Sequence, residues 1–221
     1  MAEFVLAIDQ GTTGSTVALM DSSGKLRASV NFEFPQLYPR PGWVEHRPTD
    51  IWDSVLKGIR ALQRKRICKA GDIAAIGITN QRETALLWDR ETGEPLNNAI
   101  VWQCRRTTDF CERLKSEGHE STVKRKSGLV LDPYFSGSKF RWLLKNTSGI
   151  SRLRRAGRVA AGTVDSYLIW QLTGGESHVT DVSNASRTSL MNLKTCRWDR
   201  QLLELFEVPR DILPQVVPSS A

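Results

Sequence analysis

The sequence has few cysteines and few histidines. Its 221 residues include four cysteines and three histidines, and no two cysteines form a Cys-x-x-Cys pair. Zinc sites and disulfide frameworks use clustered cysteines or cysteines spaced near histidines, so this pattern argues against both. The simplest interpretation is four free thiols in a reducing compartment, which predicts a cytoplasmic location.

Long hydrophobic runs are also absent. The apolar stretch at Val5–Ile8 ends at Asp9 and is too short for a signal peptide. No later stretch is long enough to span a bilayer. A hydrophobic content of 40% and a charged content of 25% are ordinary for a soluble globular protein. The sequence therefore predicts a chain without a membrane span.

Acidic residues are outnumbered by basic ones, which gives a net charge of +7. The basic residues gather at 64–66, 124–126 and 152–158. No zinc-finger spacing or aromatic-interleaved basic motif accompanies them, and such runs are typical of solvated faces. We therefore expect no nucleic-acid partner, while an anionic substrate would benefit from the same positive field.

The first motif that carries chemistry is a tight turn between two apolar, strand-like runs. Val5–Ile8 and Val17–Met20 flank the turn Gly11-Thr-Thr-Gly14. Small residues let backbone N–H groups come close to an anion, and the threonine hydroxyls add donors. Asp9 ends the first run and can hold Mg²⁺ through water. The motif predicts either a phosphate-binding turn or an ordinary solvated hairpin turn.

The apolar pattern predicts a mixed α/β fold. Leu26–Phe34 alternates between apolar and polar residues, so three antiparallel strands open the chain. A helix is expected from Pro48, and Ile73–Thr79 has the composition of a strand buried on both faces. Further helices are expected at Gln103–Glu117, through Phe140, Leu143 and Leu144, after Thr163 and at Leu202–Phe206, whereas residues 212–221 show no packing pattern. This order indicates a mixed sheet covered by helices.

Polar and aromatic side chains follow the predicted strands where open α/β sheets place their ligands. Arg82 and Glu83 come just after a strand; together they can donate to and accept from the hydroxyls of a polyol. The alternative is a surface ion pair between the two. Trp102 at another strand end and Tyr134 in a loop can contact the same ligand, or serve as a core residue and a loop anchor respectively.

A further signal comes from seven sequence blocks: Asp9–Thr13, Pro41–His46, Ile78–Thr84, Ile100–Arg106, Asp132–Gly137, Gly162–Asp165 and Thr180–Arg187. Taken in this order, they resemble the glycerol kinases of the FGGY carbohydrate kinase family. The resemblance extends over essentially all 221 residues, and the Asn80-Gln-Arg-Glu83 part is what implies glycerol among the family's sugar and polyol substrates.

The resemblance implies an actin/hexokinase-like (ribonuclease H-like) α/β fold, the first lobe of a two-lobe kinase. The implied reaction transfers a phosphoryl group from ATP to glycerol, giving sn-glycerol 3-phosphate in glycerol catabolism. The implied partners are glycerol and ATP/ADP, with homo-oligomers in the full-length enzyme. The implied roles are glycerol binding by Arg82, Glu83, Trp102 and Tyr134, nucleotide and phosphate binding by Gln10, Gly11, Thr12, Thr13 and Gly14, and water-mediated Mg²⁺ binding by Asp9.

Two departures from the family pattern affect these expectations. Gly14 and Thr16 stand where relatives commonly have a serine and an arginine, and that arginine would contact nucleotide phosphates. The relatives are also longer, and their proton-accepting aspartate lies in a Gly-Asp-Gln-Gln motif that is absent here.

The position of that aspartate decides what the chain is expected to do. The resemblance places it beyond Ala221, so no residue of this chain is expected to be the catalytic base. Residues 1–221 are thus implied to be an N-terminal domain without the catalytic aspartate or the C-terminal lobe, inactive alone. The alternative is a non-catalytic module that binds polyol or phosphate.

Overall fold

The computed structural model describes residues 4–220 and divides them into two compact units. Unit 1 comprises residues 4–36 and 47–81. Unit 2 comprises residues 37–46 and 82–220. The short segment 37–46 therefore interrupts unit 1 in sequence while belonging to unit 2.

The secondary structure mixes strands and helices, as the sequence predicts. The strands are β1 (Phe4–Gln10), β2 (Gly14–Asp21), β3 (Leu26–Glu33), β4 (Glu45–His46), β5 (Ile73–Asn80), β6 (Leu86–Asp89), β7 (Ala99–Ile100), β8 (Val159–Gly162), β9 (Val179–Asp181), β10 (Met191–Asn192), β11 (Arg197–Trp198) and β12 (Gln215–Val217). The α-helices are α1 (Pro48–Arg64), α2 (Thr108–Ser116), α3 (Glu120–Ser127), α4 (Ser136–Asn146), α5 (Ile150–Arg155), α6 (Val164–Leu172), α7 (Val182–Ala185) and α8 (Arg200–Leu205), with 3₁₀ turns at Ala70–Asp72 and Arg210–Ile212.

Unit 1 is a four-stranded mixed sheet in the order β3-β2-β1-β5, covered by α1. The strands β1, β2 and β3 pair antiparallel, which confirms the predicted opening, and β5 lies parallel to β1. Pro48 occupies the first turn of α1, where its missing N–H costs nothing. Leu6 and Ile8 of the sheet and Ile51 and Val55 of α1 are buried, so the core lies between them.

Strand β5 is in the predicted place, but the prediction that it is buried on both faces is wrong. Within residues 4–220 it has one partner strand, β1, and is therefore an edge strand. Most of its residues are exposed, and 48% of Ile76 is accessible. A short run of isoleucine, alanine and glycine has the same composition in a central strand and in an edge strand, so composition could not separate the two.

Unit 2 combines helices with four two-stranded sheets, which pair β4 with β7, β6 with β8, β9 with β12 and β10 with β11. Its core gathers residues from most of these elements, including Leu87, Phe140 and Leu202. All of β6 is buried. Trp88 of this strand is fully buried, and its ring meets His178 edge-on with 5.2 Å between ring centroids.

Three other expectations need correction in unit 2. The helix expected at Gln103–Glu117 begins only at Thr108, because residues 103–107 form turns and Thr107 precedes the first helical residue. Helices α3, α5 and α7 are absent from the sequence prediction. The tail after residue 212 is not without packing, because β12 pairs in parallel with β9 and both Ile212 and Leu213 are buried.

Candidate functional site

The predicted phosphate-binding turn is the short connection between β1 and β2 in unit 1. The N–H of Gly11 donates to the carbonyl of Gly14 at 2.8 Å, which closes the turn and leaves Thr12 and Thr13 at its tip. Gly14 is buried, and a Cβ there would lie 2.9 Å from the Phe32 carbonyl oxygen. A side chain at position 14 would therefore force β3 to shift, so its close approach favours glycine here.

Gln10 and Gly14 were predicted to contact phosphate, but the side chain of Gln10 is buried and the fold leaves little room for a side chain at position 14. Gln10 is fully buried, and its amide donates to the Gly11 carbonyl at 2.6 Å and accepts from Gln81 at 3.2 Å. Gly14 is held against β3 as described above. Thr12 is half-buried and Thr13 is exposed. The turn thus presents its two threonines, with Gln10 and Gly14 supporting it from inside.

Asp9 lies next to this turn at the end of β1, and its side chain is exposed. It pairs with Thr16 of β2, so the two side chains share one face of the sheet. The Thr16 hydroxyl accepts a hydrogen bond of 2.9 Å from Asn31. An exposed carboxylate fits water-mediated Mg²⁺ binding. Within residues 4–220 no three His, Cys, Asp or Glu side chains gather into a metal-binding cluster.

In unit 2, Glu83 is buried and fixed at both its backbone and its side chain. Its φ of 48° lies in the left-handed region, and its carbonyl accepts a hydrogen bond of 3.1 Å from the Ser136 hydroxyl. The Nε of Arg187 donates to Glu83 Oε1 at 2.6 Å. Arg82 is exposed and has no ion-pair partner in residues 4–220. The alternative of an Arg82–Glu83 surface ion pair is therefore wrong.

The two predicted aromatic residues lie together beside Glu83. The rings of Trp102 and Tyr134 meet edge-on with 5.5 Å between centroids. The Arg187 guanidinium, which binds Glu83, lies 5.8 Å from the centroid of the Tyr134 ring and 4.9 Å from that of Phe135. Arg187 thus links Glu83 to Tyr134, and the Tyr134 ring contacts Trp102. The fourth predicted glycerol-binding residue, Arg82, precedes Glu83 in sequence. We call Glu83, Trp102, Tyr134, Phe135 and Arg187 the Glu83 cluster.

Beneath this cluster lies a fully buried lysine, Lys139, on helix α4. Its Nζ donates to the carbonyls of Tyr134 and Phe135, the latter at 3.2 Å. Burial lowers the pKa of Lys139 to about 7. The Asp132 carboxylate accepts the N–H of Tyr134 at 2.8 Å. The loop that carries Tyr134 is therefore held from both ends by polar contacts.

Sequence reasoning missed Arg187 and Lys139. Arg187 lies 104 residues from Glu83, and no spacing rule connects positions so far apart. The one available signal was its place at the end of the block Thr180–Arg187. Nothing in the sequence around Lys139 predicts that a lysine there is buried.

The predicted catalytic aspartate has no counterpart among the residues above. The sequence prediction places it beyond Ala221, and Ala221 itself lies outside the described residues 4–220. The position of the aspartate therefore stays a prediction. No proton acceptor is assigned among the residues described above.

Comparison with known proteins shows the family. A model described as "FGGY family of carbohydrate kinases, N-terminal domain" matches residues 4–221. The chain belongs to this family. Its α/β fold is accordingly the actin/hexokinase-like fold of the FGGY kinases. No helix in residues 4–220 is long and apolar enough to cross a membrane, and the four cysteines are free thiols.

The similar proteins include curated glycerol kinases and solved structures of two kinases. The chain is 51% identical over 220 residues to a glycerol kinase of Caldanaerobacter subterraneus and 53% identical over 218 residues to one of Delftia acidovorans. The crystal structure of Plasmodium falciparum glycerol kinase with ADP matches 96% of this chain and 42% of its own, with a TM-score of 0.87 and 35% identity. A gluconate kinase from Lactobacillus acidophilus matches 97% of this chain and 42% of its own, with a TM-score of 0.84 and 29% identity.

The lengths of these proteins differ from that of the chain. Each match covers 44% of the curated relative's length. The same matches cover 100% of this chain for the Caldanaerobacter protein and 99% for the Delftia protein. The chain thus spans less than half the length of the curated relatives it matches.

Proposed function

We propose that this chain provides the phosphate-binding turn and the glycerol-binding residues of a glycerol kinase. The reaction transfers the γ-phosphoryl group of ATP to glycerol and forms sn-glycerol 3-phosphate, as a step of glycerol catabolism. The observation that carries the proposal is the Glu83 cluster, which assembles predicted polyol contacts from distant parts of the chain. The identity of about half the residues to curated glycerol kinases supports the same substrate.

The Glu83 cluster and the neighbouring Arg82 offer complementary chemistry to a small polyol. The carboxylate of Glu83 accepts hydrogen bonds from hydroxyl groups, and the exposed guanidinium of Arg82 donates them. The phenol of Tyr134 does both, and the Trp102 ring packs against carbon atoms. Because phosphoryl transfer depends mostly on positioning and electrostatics, holding the hydroxyls in place is the main task of these residues.

The turn in unit 1 is proposed to bind the phosphates of ATP, ADP and the product. Thr12 and Thr13 donate hydroxyl hydrogen bonds, Gly11 and Gly14 keep the backbone compact, and Gln10 supports the turn from within. Asp9 holds the hydration shell of Mg²⁺. The ion, when bound, neutralises negative charge on the phosphates.

The wider context follows from the same family membership. We propose that residues 1–221 act as the N-terminal domain of an FGGY kinase, in a cytoplasmic protein that forms homo-oligomers and binds no nucleic acid. The proton-accepting aspartate is expected beyond Ala221, in a Gly-Asp-Gln-Gln motif that this sequence lacks. A non-catalytic module that binds polyol or phosphate is the second candidate.

A coupled assay of ADP release separates the candidates. The protein is produced at the full length that its gene encodes, and it is offered ATP and Mg²⁺ with glycerol, gluconate or xylulose. We expect turnover with glycerol, and Glu83→Ala to lose about 1–3 kcal/mol of transition-state stabilisation because a substrate hydroxyl loses its acceptor. Arg200→Gln, at an exposed ion pair, is the matched control. Glycerol binding without turnover would favour the module, and preference for a sugar would defeat glycerol specificity.

A further inference from the structure

The carboxylate of Glu83 is oriented by one charged partner. Arg187 Nε engages Oε1 at 2.6 Å, while Oε2 has no hydrogen-bond partner among residues 4–220. The Glu83 side chain is 4% exposed and that of Arg187 is 28% exposed. One oxygen of an almost buried carboxylate is thus fixed by the protein, and the other remains for a ligand.

Arg187 itself lies at a well-fixed point of the chain. It follows helix α7, and its N–H donates to the Asn184 carbonyl at 3.0 Å. The Asp181 carboxylate in turn accepts from the backbone and the side-chain amide of Asn184, at 2.7 and 2.9 Å. The guanidinium lies over the Phe135 ring. A planar guanidinium supported on a ring and bound to a carboxylate loses most of its rotational freedom before any ligand arrives.

We propose that Arg187 is the positioning residue of the polyol site. It acts through Glu83: it fixes the carboxylate so that Oε2 accepts a substrate hydroxyl without first losing side-chain entropy. This inference rests on the proposed function and adds to it a residue that contacts Glu83 and the aromatic loop. The substrate class it favours is a small polyol whose hydroxyl donates to a carboxylate that is already oriented.

A purely structural role is the competing explanation. Arg187 and Glu83 join segments 104 residues apart, and removing one partner of a buried ion pair destabilises a protein by itself. Such a role would lower the melting temperature and would affect glycerol and ATP alike. A positioning role predicts instead a loss confined to the polyol and dependent on the presence of the Glu83 carboxylate. The two explanations therefore differ in a double-mutant cycle.

The test uses the protein produced from its own gene and measures steady-state kinetics for glycerol and ATP. The variants are Arg187→Gln, Glu83→Gln and the double variant, with Arg200→Gln as the control for loss of a surface arginine. We expect Arg187→Gln to raise the KM for glycerol about 10- to 100-fold, with the KM for ATP changed less than about 2-fold. In the Glu83→Gln background the same substitution should add less than about 3-fold, because the group that Arg187 orients is already changed.

Arg187→Lys provides a second variant in case Arg187→Gln does not fold. Lysine keeps the charge but lacks the planar fork, so we expect a KM for glycerol between those of the parent and of Arg187→Gln. Additive losses in the cycle, or equal rises in the KM for glycerol and for ATP, would overturn the positioning role while leaving the proposed function in place. A parent protein with no glycerol-dependent turnover would overturn the proposed function and this inference with it.

Discussion

At the scale of single residues, Glu83 has a backbone conformation that residues other than glycine rarely adopt. Its φ of 48° falls in the left-handed region, which costs on the order of 1–3 kcal/mol when the surroundings impose it. The Ser136 hydroxyl on its carbonyl and Arg187 on its carboxylate hold it there. Strain of this kind persists where neighbouring contacts over-determine the conformation, and it places the carboxylate within the Glu83 cluster.

A second buried carboxylate, Asp165, leads to a prediction about stability. It lies in the first turn of α6 and accepts hydrogen bonds from the hydroxyls of Thr163 and Thr180, the latter at 2.6 Å. Burial raises its pKa, and the nearby Asp181 adds to the effect. The folded state therefore binds this proton more tightly than the unfolded state, so the stabilisation that the proton provides is lost as the pH rises above about 4 through the folded pKa.

Asp165→Asn removes this titration and keeps the shape of the side chain. We expect the free energy of unfolding to increase at pH 8, by on the order of 1 kcal/mol for each unit by which the pKa is raised, and to change little at pH 4. Urea unfolding at both pH values measures it. A variant that is less stable than the parent at pH 8 would show that the ionised carboxylate is preferred by its two hydroxyl partners.

The residues of the candidate site were predictable to different extents. Glu83, Trp102 and Tyr134 follow strands or lie in a Pro- and Gly-flanked loop, and local chemistry was enough to select them. Arg187 and Lys139 were not predictable, because their importance comes from contacts made across the fold. Thr12 and Thr13 do lie at the tip of the turn, whereas the burial of Gln10 depends on Gln81 of a neighbouring segment. The binding roles of all the predicted site residues stay predictions.

At the scale of elements, β1–β3 and α1 were predicted well because each has an apolar period that matches its geometry. Strand β5 was placed well but given the wrong environment, since the number of its partner strands depends on topology. The helices α3 and α5 were missed for another reason. Both are short and rich in charged residues, for example Lys124–Lys126 in α3, and so lack a wide apolar face.

The contact between α1 and β2 gives an element-scale prediction. A Cβ at Gly58 would lie 2.4 Å from Cγ2 of Val17, which is fully buried. Alanine favours a helix by about 1 kcal/mol over glycine, but overpacking costs about 1–3 kcal/mol. Because a buried valine has few alternative rotamers, we expect Gly58→Ala to destabilise unit 1. Gly77→Ala, where a Cβ meets nothing within 4 Å, is the control in urea unfolding; equal midpoints for the two variants would contradict the expectation.

A second prediction at this scale concerns Arg106, which joins the segment 37–46 to helix α4. Its guanidinium lies 3.8 Å from the Trp43 ring centroid and 4.6 Å from that of Trp142, and it donates to Glu45 at 2.7 Å. The side chain is 1% exposed. Arg106→Gln leaves Glu45 without its charged partner, so we expect a loss of about 3–5 kcal/mol in the free energy of unfolding.

Arg200→Gln is the matched control for Arg106→Gln. Arg200 forms an ion pair with Glu204 in which the two side chains are 92% and 62% exposed, respectively. We expect Arg200→Gln to change the free energy of unfolding by no more than about 0.5 kcal/mol. Chemical denaturation followed by tryptophan fluorescence measures both variants. Similar unfolding midpoints for the two would show that the Arg106 contacts add no stability.

At the scale of the whole molecule, acidification should destabilise the protein through two histidines. Burial lowers the pKa of both His46 and His178 to about 4, from 6.5. Between these pH values the two histidines bind protons in the unfolded chain and stay neutral in the folded chain. The stabilisation that they contribute is therefore complete above pH 6.5 and is lost as the pH falls towards 4. The expected loss is about 3 kcal/mol for each histidine.

Urea unfolding at pH 7 and pH 5 tests this dependence. His178→Gln keeps a donor for the Ala161 carbonyl, which the ring nitrogen of His178 meets at 3.1 Å, but cannot titrate. We expect the difference in stability between the two pH values to shrink in this variant and to persist in His119→Gln, whose side chain is 42% exposed. A parent that is equally stable at both pH values would contradict the prediction.

The interruption of unit 1 by residues 37–46 has a consequence for synthesis on the ribosome. Strand β4 pairs with β7, Glu45 with Ile100 and His46 with Ala99, so translation must continue by more than fifty residues before β4 meets its partner. Unit 1 has all its own residues once position 81 has emerged. The nascent chain can therefore hold a finished sheet while a loop in its middle still waits for its partner strand, and the closure of that loop becomes a late event in biogenesis.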